Sequence, residues 1–187
     1  MTPLLSDRPP SGGWTVDDLA ALPEDGVRRE LIDGVLNVQP SRTDIHQIIA
    51  MRVMVALEET CPDDLHVTQA VEARFSKQLS LIPDGLVTTD EAARRGGAHF
   101  HPHEIRLAVE IVSPFSETLD RVLKPVLYAN AGIPFYWLIE TDGGLTVHAY
   151  ELADGAYRPS GSFTETIELD QPWRIRIPMA RLRPRQL

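Results

Sequence analysis

Leu107-Ala108-Val109-Glu110-Ile111-Val112 is the stretch on which the fold turns. A run this apolar, ended by Ser113-Pro114, reads as a strand buried on both faces within a helix-covered sheet. Glu110 breaks the pattern. An ionised carboxylate in such a run costs several kcal/mol unless a cation or hydrogen-bond donors receive it. A second acid, Asp84, interrupts another apolar stretch, Leu81-Ile82-Pro83-Asp84-Gly85-Leu86-Val87. Two acids on neighbouring strands make a compact oxygen-donor site for a hard divalent cation.

Working outward, strands are expected at about 66–75 and about 80–88, the first from the alternation of Val67, Gln69, Val71, Ala73 and Phe75. Further upstream, Arg29 to Asp33 and Val35 to Val38 form a hairpin turned at Asp33-Gly34. Between them Ser41 to Asp44 caps a helix of about 44–59, with Ile45, Ile48, Ile49, Val53, Val55 and Leu57 on a wide apolar face. Thr15 caps a short helix of about 16–22, with Asp17 and Asp18 in its first turn. Downstream, Ser116 caps a helix of about 117–131, closed by Gly132. Pro125 lies inside it, so a kink or a late start is expected. Phe135 to Glu140 and Leu145 to Leu152 follow around Asp142-Gly143-Gly144, then shorter strands near 156–160, 163–169 and 173–177. The order predicts an α/β fold, a central mixed β-sheet flanked by helices. Residues 1–13, rich in Pro, Ser and Gly, read as a disordered leader, and residues 14–187 as a single domain.

Composition excludes several classes. A formal net charge of -9 argues against a nonspecific DNA coat protein, but not against an enzyme that holds phosphate through metal and a local basic patch. The single cysteine, Cys61, makes no internal disulfide and supplies no thiolate zinc cluster. No stretch approaches a membrane span and the N-terminus lacks signal-peptide regions, so a cytoplasmic protein without membrane partners is expected. Of the 18 basic residues, only Lys77 and Lys124 are lysines. Where this chain uses Lys, a task that Arg does poorly gains weight.

Pro83-Asp84 followed by Glu110-Ile111-Val112 resembles the PD-(D/E)xK nuclease superfamily. Glu30-Leu31-Ile32-Asp33-Gly34, then Val109-Glu110-Ile111-Val112-Ser113-Pro114, Asp120 with Lys124 and Tyr128, and Gly132-Ile133-Pro134-Phe135-Tyr136-Trp137 narrow this further. In that order they resemble the bacterial Uma-two family of endonucleases over roughly residues 14–180. The resemblance implies a restriction-endonuclease-like fold, Mg²⁺ (with Mn²⁺ as a substitute), and hydrolysis of DNA phosphodiester bonds. It casts Asp84 and Glu110 as metal ligands, with the Ile111 carbonyl as a further one. Lys124 would orient the attacking water or neutralise charge on the phosphate. Glu30 would bond a metal water or ligate a second ion, and His46 would touch phosphate or move a proton. A homodimer is expected, since duplex cleavage needs two active sites.

One departure stands out: the superfamily places a lysine two residues after the second acid, and that position is Val112. Lys124, on the following helix, is the candidate replacement. If it points into the cleft with Asp84 and Glu110, catalysis gains. If it points to solvent beside Asp120, a catalytically inactive nuclease-fold module for binding or assembly gains. Each residue also has a plainer reading. Asp84 alone is a turn residue, Lys124 a solvated partner of Asp120, Glu30 part of a hairpin's polar face, His46 an exposed helix start, and Tyr128 a core edge. His99, His101 and His103 read as a surface loop rather than a transition-metal site. The pairs Arg28-Arg29 and Arg94-Arg95 are solvated charge or a phosphate-facing patch.

Overall fold

The protein is described by a computed structural model covering residues 9–23, 25–113 and 116–185. The expected leader falls largely on residues 1–8, outside the described residues. Helix α1 (Val16–Ala20) starts with a reciprocal cap: Thr15 N–H donates to Asp18 Oδ2 at 2.9 Å and Asp18 N–H to Thr15 Oγ1 at 3.2 Å. Strands β1 (Arg29–Ile32) and β2 (Val35–Val38) pair across Asp33-Gly34, both at positive φ, 50° and 74°. That two-residue turn matches the twist of the strands it joins. Helix α2 (Asp44–Glu58) begins at Thr43, whose hydroxyl accepts the His46 N–H, and it buries Ile49, Val53 and Leu57 completely.

The next segment departs from expectation. The strand expected at about 66–75 is two: β3 (Leu65–Thr68) and β4 (Glu72–Ser76), which enter different sheets. Ala70 between them has φ 55°, a left-handed conformation that breaks the extended run. The strand expected at about 80–88 likewise divides into β5 (Leu79–Leu81) and β6 (Gly85–Thr89). Pro83 sits in the break and has no N–H to give a ladder. Alternation continued through the first junction, so periodicity alone did not mark it. The second carries the Pro83-Asp84-Gly85 turn signal inside an apolar stretch that reads as one strand. A short α3 (Asp90–Arg94), capped by Thr89, and β7 (His99–Phe100) lead into β8 (Ile105–Ile111), which contains the diagnostic run.

The helix expected from about 117 does begin there, with residues 117 and 118 helical, then widens into a π-helical turn, Leu119–Leu123, and continues as α4 (Lys124–Asn130). Pro125 is the second residue of α4, directly after the π-helical turn, so the proline is met by a local widening of a helix already under way rather than by a late start. The chain then runs through β9 (Phe135–Glu140), β10 (Thr146–Ala153), β11 (Ala156–Phe163), β12 (Thr166–Leu169), β13 (Ile175–Pro178) and α5 (Met179–Leu182).

The architecture is mixed α/β, as expected, but with more than one sheet. The larger sheet has the order β11-β10-β9-β8-β6-β3, with β8 and β9 parallel and the other pairs antiparallel. A second mixed sheet has the order β2-β1-β5-β4-β7. Side chains of β8 alternate between two cores. Leu107, Val109 and Ile111 join α2, β12–β13 and α5, while Ala108 and Val112 join Leu81, Tyr128 and Tyr136. Glu110 has the parity of Ala108 and Val112, so it faces α4. Among the described residues no helix is long and apolar enough to cross a membrane.

The β1–β2 turn is also tied inward: Trp14 N–H donates to the Gly34 carbonyl at 2.7 Å and Gly34 N–H to the Gln78 carbonyl at 3.0 Å. A Cβ at Gly34 would lie 2.8 Å from Gln78 Nε2, on a left-handed residue. Gly34→Ala should therefore cost about 1–2 kcal/mol. That is a Tm lower by about 2–8 °C for a chain of this size, read by thermal melt.

Candidate active site

Asp84 is the last residue before β6, and the antiparallel register of Gly85 opposite Val109 sets it beside Glu110 and Ile111. The Ile111 N–H donates to Asp84 Oδ2 at 2.9 Å, and His46 Nε2 stands 3.1 Å from the same oxygen. Oδ1 faces Arg42 at 3.1 Å and Arg28 at 3.3 Å. Burial pushes the Asp84 carboxyl up in pKa. His46, Arg42 and Arg28 together outweigh burial and hold it well below the usual carboxylate range.

One strand away, Lys124 is completely buried among three acids. Its Nζ lies 3.0 Å from Glu110 Oε1, 3.2 Å from Glu30 Oε1 and 3.3 Å from Asp120 Oδ1. Each acid has a further anchor. Tyr128 OH donates to Glu110 Oε1, Ser116 to Asp120 Oδ2, and the Ile82 N–H (3.0 Å) and Gln39 Nε2 (3.1 Å) to Glu30. Asp120, Lys124 and Tyr128 recur every four residues, so one face of this helical segment supplies an acid, a base and a hydroxyl.

Three carboxylates facing one ammonium leave surplus negative charge in a dry pocket. Burial would lower the Lys124 pKa, but Glu110, Glu30 and Asp120 outweigh it and raise it above the ordinary value, so the ammonium stays charged. The surplus falls on Glu110. Burial first, then Asp84, Asp120 and Glu30, prevail over Lys124 and push its carboxyl up to about 8. Burial likewise raises Asp120.

The sequence-predicted residues Glu30, His46, Asp84, Glu110 and Lys124 are thus brought together, and Ile111 contributes its N–H to Asp84. Lys124 points inward rather than to solvent, and still lies beside Asp120. His46 is buried against Asp84 instead of exposed. Sequence reasoning missed Gln39, Arg42 and Ser116 as site residues and left Arg28 either as solvated charge or as part of a phosphate-facing patch. The four-residue spacing of Asp120, Lys124 and Tyr128 was the available signal for that helix face, whereas Arg42 had none. The His99, His101 and His103 rings lie 5.2 Å and 6.0 Å apart in sequence, but Glu104 turns to Arg95 and the His101 N–H. Among the described residues no three His, Cys, Asp or Glu side chains form a ready-made metal cage.

Of the acids at the site, Glu110 and Asp120 carry the oxygens open to an ion, while both Asp84 oxygens already have partners. Glu110 Oε2 and Asp120 Oδ1 are buried oxygens without hydrogen-bond partners. Mg²⁺ is held by one or two carboxylates and keeps several waters, so it does not need a cage of side chains. A polar cleft of about 420 Å³, lined by Asn37, Gln39, Ser116, Glu117 and Thr118 among others, adjoins the cluster. Gln39 and Ser116 separate it from Glu30 and Asp120, which they bond.

Three outcomes follow for the metal-free protein. The folded state holds the Glu110 proton more tightly than the unfolded chain. Its contribution is therefore full below pH 4.5 and lost as pH rises to about 8. In EDTA the Tm should fall from about pH 5 to about pH 8.5, and Glu110→Gln should flatten that slope. Asp84 has the opposite sign: its stabilisation is present above pH 3.8 and lost as pH falls below it. Lys124→Met, which strands three buried carboxylates, should cost about 3–5 kcal/mol by denaturant unfolding.

The chain is similar to a solved protein from Anabaena variabilis described as "a putative nuclease belonging to DUF820". Identity is 18%, the match covers 90% of this chain and 96% of that chain, and the TM-score is 0.72, a likeness of fold. Among curated proteins nothing matches the chain. Residues 16–180 match the Uma2 family, whose description is "Putative restriction endonuclease". The matched span contains all five clustered residues, Glu30, His46, Asp84, Glu110 and Lys124, and the chain belongs to that Uma2 family.

Proposed function

We propose that the protein is a Mg²⁺-dependent endonuclease that hydrolyses DNA phosphodiester bonds, acting as a homodimer so that two sites meet the two strands. The observation that carries this reading is the Lys124 ammonium, 3.0 Å from Glu110 and fully buried beside the acids. It offers from α4 the charge that Val112, the residue after β8, does not offer. Asp84 and Glu110, with the Ile111 carbonyl, would hold Mg²⁺ or Mn²⁺. Held there, such an ion would supply Lewis acidity toward the phosphate and lower the pKa of a water.

The rest of the chemistry belongs to the chain. Lys124 donates toward charge that develops on the phosphate, a term that counts most in a dry, preorganised pocket. Glu30, fixed by the Ile82 N–H and Gln39, keeps the ammonium aimed. Tyr128 holds one Glu110 oxygen and leaves the other free. His46 Nδ1 is buried without a partner, and with Nε2 on Asp84 it is placed to contact phosphate or move a proton. Substrate would enter by the polar cleft, with Gln39 and Ser116 moving aside.

A second reading, a nuclease-fold binding or assembly module without catalysis, draws support from closure of the site: Asp84 is capped by two arginines and His46, and Glu30, Glu110, Asp120 and Lys124 are buried. The deciding experiment incubates the protein with duplex DNA, single-stranded DNA and RNA in Mg²⁺, Mn²⁺ or EDTA, beside Asp84→Asn and Glu110→Gln. Metal-dependent cutting that drops roughly 100-fold or more in both variants is expected. Glu110→Gln should melt no lower than wild type, because removing an acid relieves repulsion. Asp84→Asn, which leaves two largely buried guanidiniums without their carboxylate, should melt lower. No cutting by wild type, with no metal uptake in calorimetry, selects the non-catalytic module.

A further inference from the structure

Charge is divided unevenly across the site. On the Glu110 side three carboxylates share one ammonium. On the Asp84 side a single carboxylate is met by two guanidiniums and an imidazole. Both guanidiniums converge on Oδ1, while Oδ2 is taken by the Ile111 N–H and His46. One arginine would neutralise Asp84, so the second is surplus to that task.

The arginines are also short of acceptors. Their side chains are only 18% (Arg28) and 6% (Arg42) exposed, and the Nε of each is buried with no hydrogen-bond partner. Beyond Asp84, Arg28 reaches the Ile82 carbonyl and Arg42 a long 3.4 Å contact to Ser113 Oγ. A guanidinium carries five N–H donors, so most of this capacity is unspent in a place from which water is largely excluded. Arg28 lies one residue before β1 and Arg42 two residues before α2, so either side chain can swing without breaking a strand or helix.

From this arrangement we infer that Arg28 and Arg42 are a phosphate-binding pair latched onto Asp84 in the metal-free protein, making cation and phosphate bind cooperatively. The inference rests on the metal-dependent nuclease reading. A dication on Asp84 faces two guanidiniums on the same oxygen and is repelled by them. A phosphate, with several acceptor oxygens, draws the guanidiniums off and pairs with them bidentately. Asp84 is then free for the ion, and by linkage the ion raises phosphate affinity by the same factor that phosphate raises the ion's. The ligand class is a phosphate ester, and duplex DNA, single-stranded RNA and inorganic phosphate as separate probes tell its source.

The test has two readouts besides cleavage. The first is calorimetric titration of Mn²⁺ alone into wild type, Arg28→Gln and Arg42→Gln. The latch predicts tighter Mn²⁺ binding in each variant, by roughly 5-fold or more. The second is fluorescence anisotropy of a labelled duplex at several salt concentrations in Ca²⁺. There each glutamine variant should lose about 0.9 from the slope of log K against log salt, one phosphate contact. Arg158→Gln, at an exposed site, should change neither, and Arg42→Lys, which keeps the charge, should restore both toward wild type.

Wild type that binds Mn²⁺ while both variants bind it equally or more weakly, with the salt slope unchanged, overturns the latch and leaves the nuclease reading standing. No Mn²⁺ uptake by wild type or variants removes the nuclease reading, and the latch with it. Should a glutamine variant fail to fold, wild type decides alone: duplex affinity that is no higher in Ca²⁺ than in EDTA overturns the coupling.

Discussion

A buried ammonium holds this molecule's interior together. Lys124 is fully enclosed and touches Glu30 of β1, Glu110 of β8 and Asp120 of its own helical segment. These acids come from the second sheet, the main sheet and the helix between them, so one cation stitches three layers. Such a cluster is poor evidence for extra stability, because desolvation offsets most of the attraction. Its consequence is geometric. With one partner withdrawn, the remaining charges are stranded without water, so the three elements are constrained to a single relative placement.

That placement explains the apolar run that carries Glu110. β8 is covered on one face by α2 and the β12–β13 layer, and on the other by the second sheet and α4. A strand with no solvent side has no polar face on which to put a carboxylate. Glu110 is tolerated only where Lys124 and Tyr128 meet it, and then with its proton affinity raised. The same enclosure makes the site sensitive to any new charge. A group placed here works against few competing dipoles, which is the condition under which a lysine or a cation does most for a reacting phosphate.

The two halves of the site also differ in sign. Asp84 sits amid cations and keeps its charge easily, while Glu110 sits amid acids and gives its charge up. Acids whose environments drive their proton affinities apart are a mark of functional sites, although structural networks produce them too. Here the asymmetry arises from one register: Gly85 opposite Val109 brings Asp84 next to Glu110, so the two environments abut at a single strand spacing.

Much of this was legible in the chain itself. Thr15, Asp33-Gly34, Thr43 and Pro125 act through bonds and dihedrals within a few residues of themselves, so α1, the first hairpin, α2 and the irregular turn before α4 follow from local chemistry. Glu110 in its apolar run, Pro83-Asp84 and the spacing of Asp120, Lys124 and Tyr128 marked the acids and the base, because a charged residue in an apolar pattern is anomalous wherever it lies. Ala70 hid one division between the two sheets, since alternation runs through it and pairing partners are remote. At Pro83 a turn signal was present, but the apolar residues on either side read as one strand. The roles of Arg42, Gln39 and Ser116 were silent, because polar residues in loops are ordinary until a distant carboxylate is known to face them. The Arg28-Arg29 pair left solvated charge and a phosphate-facing patch both open. The sequence by itself determined which residues carry charge into the interior. Only the tertiary structure decided which opposite charges they meet, because those partners lie up to 94 positions apart, as Lys124 does from Glu30, and no local bond records that meeting.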